Sequence, residues 1–112
     1  DFHAEATSEK MAFGWFVDGS VSAVVGTHTH IPTADARVLP EGTAYISDVG
    51  MTGSYESVIG MQIGSSVSRF LTGLPSRFEP ATDSPRLCSV ILDVDETTGL
   101  TRSIKPFVVD SY

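Results

Sequence analysis

The strongest constraint on the fold lies in the last quarter of the chain. Over residues 88–95, Val90, Leu92 and Val94 alternate with Ser89, Asp93 and Asp95. A period of two sends alternate side chains to opposite faces of an extended backbone, so this stretch predicts a half-buried strand. Thr98-Gly99 supplies a turn, and residues 104–109 form the return strand. Pro106 suits an edge position there, because proline cannot donate to a ladder. The first half adds helix and strand in alternation. Ser8 is the expected N-cap of a helix that carries Met11, Ala12 and Trp15 at helical spacing and stops at Asp18-Gly19. The β-branched run 21–26 reads as a strand. Residues 37–39 and 43–46 flank Pro40-Glu41-Gly42 as a second hairpin. Residues 61–71 read as a helix with Ile63, Val67, Phe70 and Leu71 on one face. Residues 47–55 and 73–85 read as loop and irregular connector. The expected class is therefore α/β, ending in a β-hairpin, with Trp15, Phe13 and Phe16 in the core and the Gly60/Gly64 pair serving packing.

Composition narrows the function. The chain has 112 residues, about one domain's worth, with 14 acids against 7 bases for a net charge of −7. A sequence-independent grip on nucleic acid needs surplus Lys and Arg to displace phosphate counterions, and so does adhesion to an anionic membrane surface; both are excluded for this piece. No apolar run is long enough to span a bilayer. The single cysteine, Cys88, forbids an internal disulfide framework and fits a reducing, cytoplasmic setting; its place in the alternating run marks it as a buried structural thiol.

All three histidines fall in the first third. His28 and His30 form Thr-His-Thr-His directly after a predicted strand, and His3 stands at a second strand end just ahead of a helix. In extended backbone a spacing of two puts both imidazoles on one side. If the strands are neighbours, three rings converge at one sheet edge, where α/β proteins place their sites. Such a cluster serves as metal ligands, for which neutral imidazole suits Zn, Fe, Mn or Ni. It serves equally as hydrogen-bonded loop histidines.

Three long motifs carry a family resemblance: Asp-Phe-His-Ala-Glu-Ala-Thr-Ser-Glu-Lys at 1–10, Val-Gly-Thr-His-Thr-His-Ile-Pro-Thr-Ala-Asp-Ala-Arg at 25–37, and Gly-Thr-Ala-Tyr-Ile-Ser-Asp-Val-Gly-Met-Thr-Gly at 42–53. Together with Ser57-Val-Ile-Gly-Met61 and Arg77-Phe-Glu-Pro-Ala81, they resemble the bacterial YmdB-like metallophosphoesterases of the calcineurin-like phosphoesterase superfamily over nearly the whole chain. The resemblance implies part of a metallophosphoesterase-type α/β sandwich, two sheets flanked by helices. It implies a phosphodiesterase acting on 2′,3′-cyclic nucleotides or related small phosphoesters through a hydroxide activated by two divalent metals, iron or manganese. Carried over residue by residue, His3 and His28 bind one metal and His30 the other. The family's other ligands are an Asp, a Glu and two Asn, and a further His protonates the leaving oxygen. This chain has no asparagine and no fourth histidine. It is therefore expected to be the C-terminal part of a single domain whose N-terminal part holds the general acid and the bridging carboxylate, so that this chain supplies no general acid and is inactive alone.

The remaining candidates carry two readings each. Glu5 is either a partner that orients His3 or, slightly preferred, a solvated acid. Thr27 and Thr29 bond a phosphate oxygen or satisfy loop amides. Arg37 meets a substrate phosphate or, more commonly, Asp35. Gly50, with Gly53, allows close backbone approach near the metals or serves a plain turn, and Asp48 is a candidate supporting group behind the ligands, to which the resemblance gives no ligand role. The alternative function is a non-catalytic metal-binding or oligomerisation module that pairs its C-terminal hairpin edge with a second copy.

Overall fold

In the computed structural model, which describes residues 1–110, the chain folds as two sheets and two helices. The order is β1 (Phe2–His3), α1 (Thr7–Phe16), β2 (Ala23–Thr27), β3 (Arg37–Val38), β4 (Ala44–Ile46), β5 (Gly53–Ser54), α2 (Ile63–Thr72), β6 (Pro85–Val94) and β7 (Thr101–Asp110). The first sheet has the order β1-β2-β4-β3, with β1, β2 and β4 parallel and β3 antiparallel to β4. The second is the antiparallel β5-β6-β7. The mixed α/β class and both hairpins agree with the sequence expectation, and Pro106 stands opposite Val90 on the edge strand β7.

The core is small and sits on the first sheet. Val24, Leu39 and Tyr45 form its centre, and Phe2 and Val17 pack against it. Helix α1 reaches this core through Gly14, where an added Cβ would lie 2.7 Å from the Tyr45 ring. That close approach decides the helix's rotation. Its buried residues are Lys10 and Gly14, one position off the expected Met11–Trp15 stripe. The expectation that the aromatics of α1 fill the core is thereby corrected. Phe13, Trp15 and Phe16 are 38%, 49% and 85% exposed; Phe13 stacks on Phe2 and Trp15 lies under the Arg37 guanidinium. Ser8 is also corrected. It lies inside the first turn, and the N-cap is Ala6, which makes no side-chain cap bond.

Helix α2 forms as expected and ends on Gly73 in the left-handed conformation. Its apolar face is turned outward, with Phe70 and Leu71 more than four-fifths exposed. Among the described residues, a Cβ at Gly64 would meet nothing within 4 Å, so the packing role expected for the Gly60/Gly64 pair does not hold there. The turn of the C-terminal hairpin docks on the first sheet: Thr101 donates its N–H to Gly42 O and its hydroxyl to Ser22 O, and Ser22 Oγ donates to Gly99 O. From there β6 and β7 project, and Phe107, Val108 and Val109 are each almost half exposed. The extents are 53 × 33 × 17 Å and the radius of gyration 16.8 Å, against about 13 Å for a compact domain of this length. Among the described residues no helix is long and apolar enough to cross a membrane.

Candidate metal centre

The parallel pairing of β1 with β2 builds the site. His3 is in register with Thr27, so the C-terminal ends of both strands finish side by side, and His28 follows at once. The two imidazoles meet edge-on, at 72° and with ring centroids 5.0 Å apart. His28 Nδ1 lies 3.2 Å from His3 Nε2. The proton positions around His3 follow from its partners. Thr27 Oγ1 donates its one proton to Asp1 Oδ1 at 3.1 Å, so it accepts from His3 Nδ1, also at 3.1 Å. Nε2 of His3 is left with a lone pair directed at His28.

His30 turns elsewhere. Its Nδ1 lies 2.7 Å from Ile59 O. A carbonyl only accepts, so Nδ1 carries the proton and Nε2 keeps the lone pair. A ring whose far N–H is fixed by a carbonyl or a hydroxyl–carboxylate chain has the tautomer and orientation typical of metal-ligating histidine. The expectation that alternation in extended backbone aligns His28 with His30 is corrected, because neither residue has ordinary extended geometry. Their φ values are 150° and 68°. Strained backbone of this kind costs about 1–3 kcal/mol per residue and persists where the surroundings over-determine it. The structure thus joins His3 to His28 and gives His30 a separate partner. Among the described residues, no group of three or more His, Cys, Asp or Glu side chains stands in metal-holding geometry.

Whether these donors fit a metal can be judged from the pair. Two ligands bonded to one ion at about 2.05 Å sit about 2.9–3.4 Å apart for angles between octahedral and tetrahedral. The observed 3.2 Å falls within that span. The donor set on this chain is three neutral imidazoles, which hold a dication without neutralising it.

The loop is braced from below. Asp48, 1% exposed, accepts the Thr29 N–H on Oδ2 at 2.6 Å and the Gly50 N–H on Oδ1 at 2.9 Å. Burial pushes its carboxyl up, but these bonds and the nearby Lys10 ammonium outweigh it and hold the group below the usual range. Tyr55 Oη lies 3.2 Å from His30 O, 3.3 Å from Met51 O and 3.0 Å from Cys88 Sγ, and accepts the Met51 N–H. Burial and the Cys88 contact raise its pKa. Gly50 has φ +86°, and a Cβ there would lie 2.9 Å from both Tyr55 Oη and Pro32 Cδ, so only glycine fits between the two loops.

The other candidates separate clearly. Thr29 Oγ1 donates to Ile31 O and accepts from Ile31 N, which leaves it satisfying its own loop. Glu5 is exposed and makes no side-chain hydrogen bond or ion pair among the described residues. Arg37 stacks on Trp15 and does not pair with Asp35; Asp35 accepts instead from Ser47 and Thr33. Cys88 is buried, as its strand pattern predicts. Sequence reasoning missed Asp1, Lys10, Tyr55 and the Ile59 carbonyl as supports of the histidines. No local pattern marks any of them, since each acts across 20 or more residues of chain or through the backbone.

Comparison with known proteins places these motifs in context. A family model described as YmdB-like protein matches residues 1–107. The chain is 53% identical over 110 residues to the 2′,3′-cyclic-nucleotide 2′-phosphodiesterase of Bacillus subtilis (strain 168), covering 98% of this chain and 42% of that one. It superposes on the crystal structure of a hypothetical protein from Thermus thermophilus with a TM-score of 0.92 and 48% identity, covering 98% of this chain and 43% of that one. On the crystal structure of a novel phosphatase from Mycoplasma pneumoniae, the TM-score is 0.93 at 42% identity, with 98% and 40% covered. The chain therefore spans about two fifths of the length of each of these relatives.

Proposed function

The chain belongs to the YmdB-like protein family, and on that premise we propose that the complete protein is a metal-dependent phosphodiesterase that opens 2′,3′-cyclic nucleotides or related small phosphoesters. The observation that carries this reading is the approach of His3 Nε2 and His28 Nδ1 to 3.2 Å at the ends of two parallel strands, where one metal ion would replace the proton that His28 Nδ1 now shares with His3 Nε2. His3 and His28 would hold one divalent ion, iron or manganese, and His30 a second through its Nε2. Such a pair supplies an activated hydroxide and a clamp for phosphate oxygens. This chain's own work is orientation: Asp1 and Thr27 fix the His3 tautomer, Ile59 O fixes His30, and Asp48 holds the backbone between His28 and His30.

The anionic ligands and the proton donor for the leaving oxygen belong, in this reading, to an N-terminal part of the same domain. Three neutral imidazoles alone leave a metal pair uncompensated. The outward apolar faces of α1 and α2 and the long radius of gyration favour such a part, which would complete the two-sheet sandwich. The free, buried Cys88 thiol fits action in the cytoplasm.

The test uses the complete protein loaded with manganese and 2′,3′-cyclic AMP as substrate. His28→Ala and His30→Ala should each lower turnover more than about 100-fold while the melting temperature stays near that of the parent. Undiminished hydrolysis in the double variant would overturn the assignment. The β7 edge, exposed from residue 105 to 110, favours a second reading as an oligomerisation module. Light scattering separates the two, since loss of assembly on replacing Phe107 and Val109 with Lys, with hydrolysis absent throughout, supports the module.

A further inference from the structure

Below the histidine loop lies a charge pair that the proposed reaction does not use. Lys10 on α1 is 0% exposed, and its Nζ has no hydrogen-bond partner among the described residues. It stands 3.7 Å from Asp48 Oδ2, itself 1% exposed. Burying two charges is a poor route to stability, because the loss of hydration commonly matches or exceeds their attraction. A long apolar side chain at position 10 would pack this helix at least as well. The pair's effect must therefore be sought in what the carboxylate does.

Asp48 gathers the loop. Its two oxygens take the amides of Thr29 and Gly50, its own N–H goes to Thr33 Oγ1, and its carbonyl accepts from Thr33 N. Thr29 is the residue between His28 and His30, both of which have positive φ. An ionised carboxylate can accept both amides at once; a protonated or amide group there would turn a donor toward one of them. The ammonium of Lys10 favours the ionised carboxylate at a site shielded from bulk solvent.

We propose that Lys10 and Asp48 form a positioning device, in which the buried ammonium holds a carboxylate clamp on the Thr29 amide and so fixes the strained His28-Thr29-His30 backbone that aims the ring nitrogens. The inference rests on the reading of His28 and His30 as metal ligands. It adds two residues that would touch neither metal nor substrate.

The test compares Lys10→Met, Asp48→Asn and the double variant in the complete protein, with Mn²⁺ alone as the probe. Each single variant leaves one buried group without its counter-charge and melts lower; the double variant removes both charges and regains much of the loss. Positioning predicts that the regained stability is not matched by regained binding. Mn²⁺ affinity in the double variant stays down by about tenfold or more, and the Thr29 amide exchanges with solvent about tenfold faster than in the parent. A double variant that binds Mn²⁺ and protects Thr29 as the parent does would overturn the proposal. If the parent itself binds no Mn²⁺, the functional reading fails. Amide exchange at Thr29 then decides the clamp alone: faster exchange in Lys10→Met upholds it, and unchanged exchange overturns it.

Discussion

Replacing Gly26 with Ala tests how tightly the site depends on the sheet beneath it. Gly26 lies in β2, between β1 and β4, two residues before His28. A Cβ there would sit 1.8 Å from Ser47 O and 2.5 Å from Ser47 C, both backbone atoms in the strand extension that leads to Asp48. Ordinary contact needs about 3.4 Å, so the two strand ends would have to part by about 1.5 Å. The bond from Val49 N to Gly26 O, now 2.9 Å, would be stretched beyond hydrogen-bonding range. Overpacking against backbone in a sheet falls at the upper end of about 1–3 kcal/mol, and the lost bond adds about 1 kcal/mol. For a protein of a few hundred residues, this total lowers the melting temperature by about 10 °C. Calorimetry of the complete protein, paired with Mn²⁺ titration, should show both a lower midpoint and weaker binding. Gly64→Ala is the control. It lies in helix α2 with no described residue within 4 Å of the added carbon, and should leave stability unchanged or raise it by up to about 1 kcal/mol. A Gly26→Ala protein melting within about 2 °C of the parent would refute the steric reasoning.

Other outcomes follow from the hydrogen bonds. Thr27→Val removes the hydroxyl that fixes the His3 tautomer, and should weaken Mn²⁺ binding about tenfold in a titration while the melting temperature barely moves. Tyr55→Phe removes the hydroxyl that bonds the Met51 amide and the His30 carbonyl, which keep their bond to each other, and should cost about 0.5–1.5 kcal/mol by urea unfolding; an unchanged midpoint would remove Tyr55 from the bracing. Asp35 and Asp48 both titrate below the ordinary aspartate value when folded. Burial pushes each up, but hydrogen bonds from Ser47 and Thr33 at Asp35, and from Thr29 and Gly50 at Asp48, outweigh it. Their unfolded forms take up protons first, so the stability they add is present above about pH 4 and is lost as the pH falls through the folded values. Urea midpoints should hold steady from about pH 7 to 5 and then drop, and Asp35→Asn should drop less steeply.

How much of this could be read from the residues alone depends on the range of the interaction. The C-terminal hairpin was legible because alternation at Val90 and Leu92 and the Thr98-Gly99 turn are local signals. The ends of β1 and β2 were legible because His3 and His28 each follow a short β-branched or aromatic run, and neighbouring parallel strands then bring them together. The rotation of α1 was not. Met11 and Trp15 have the better apolar spacing, yet the Tyr45 ring, 31 residues beyond Gly14, selects the Lys10–Gly14 stripe. The divergence of His28 and His30 was hidden for a similar reason. It depends on an amide held by Asp48 and on a carbonyl at Ile59, and neither leaves a trace in the Thr-His-Thr-His motif.

The placement of these supports has a consequence for the order in which the chain matures on the ribosome. His3, His28 and His30 emerge before their supports: the clamp on the loop between His28 and His30 waits for Asp48, and the carbonyl that fixes His30 waits for Ile59. The three histidines of a nascent chain stopped before Asp48 would be free to bind stray metal in a loose, unselective way. Only after another strand has docked would the loop acquire its final curvature. Ion capture would then favour the finished conformation by mass action, and metal supply would influence how much of the newly made protein escapes degradation.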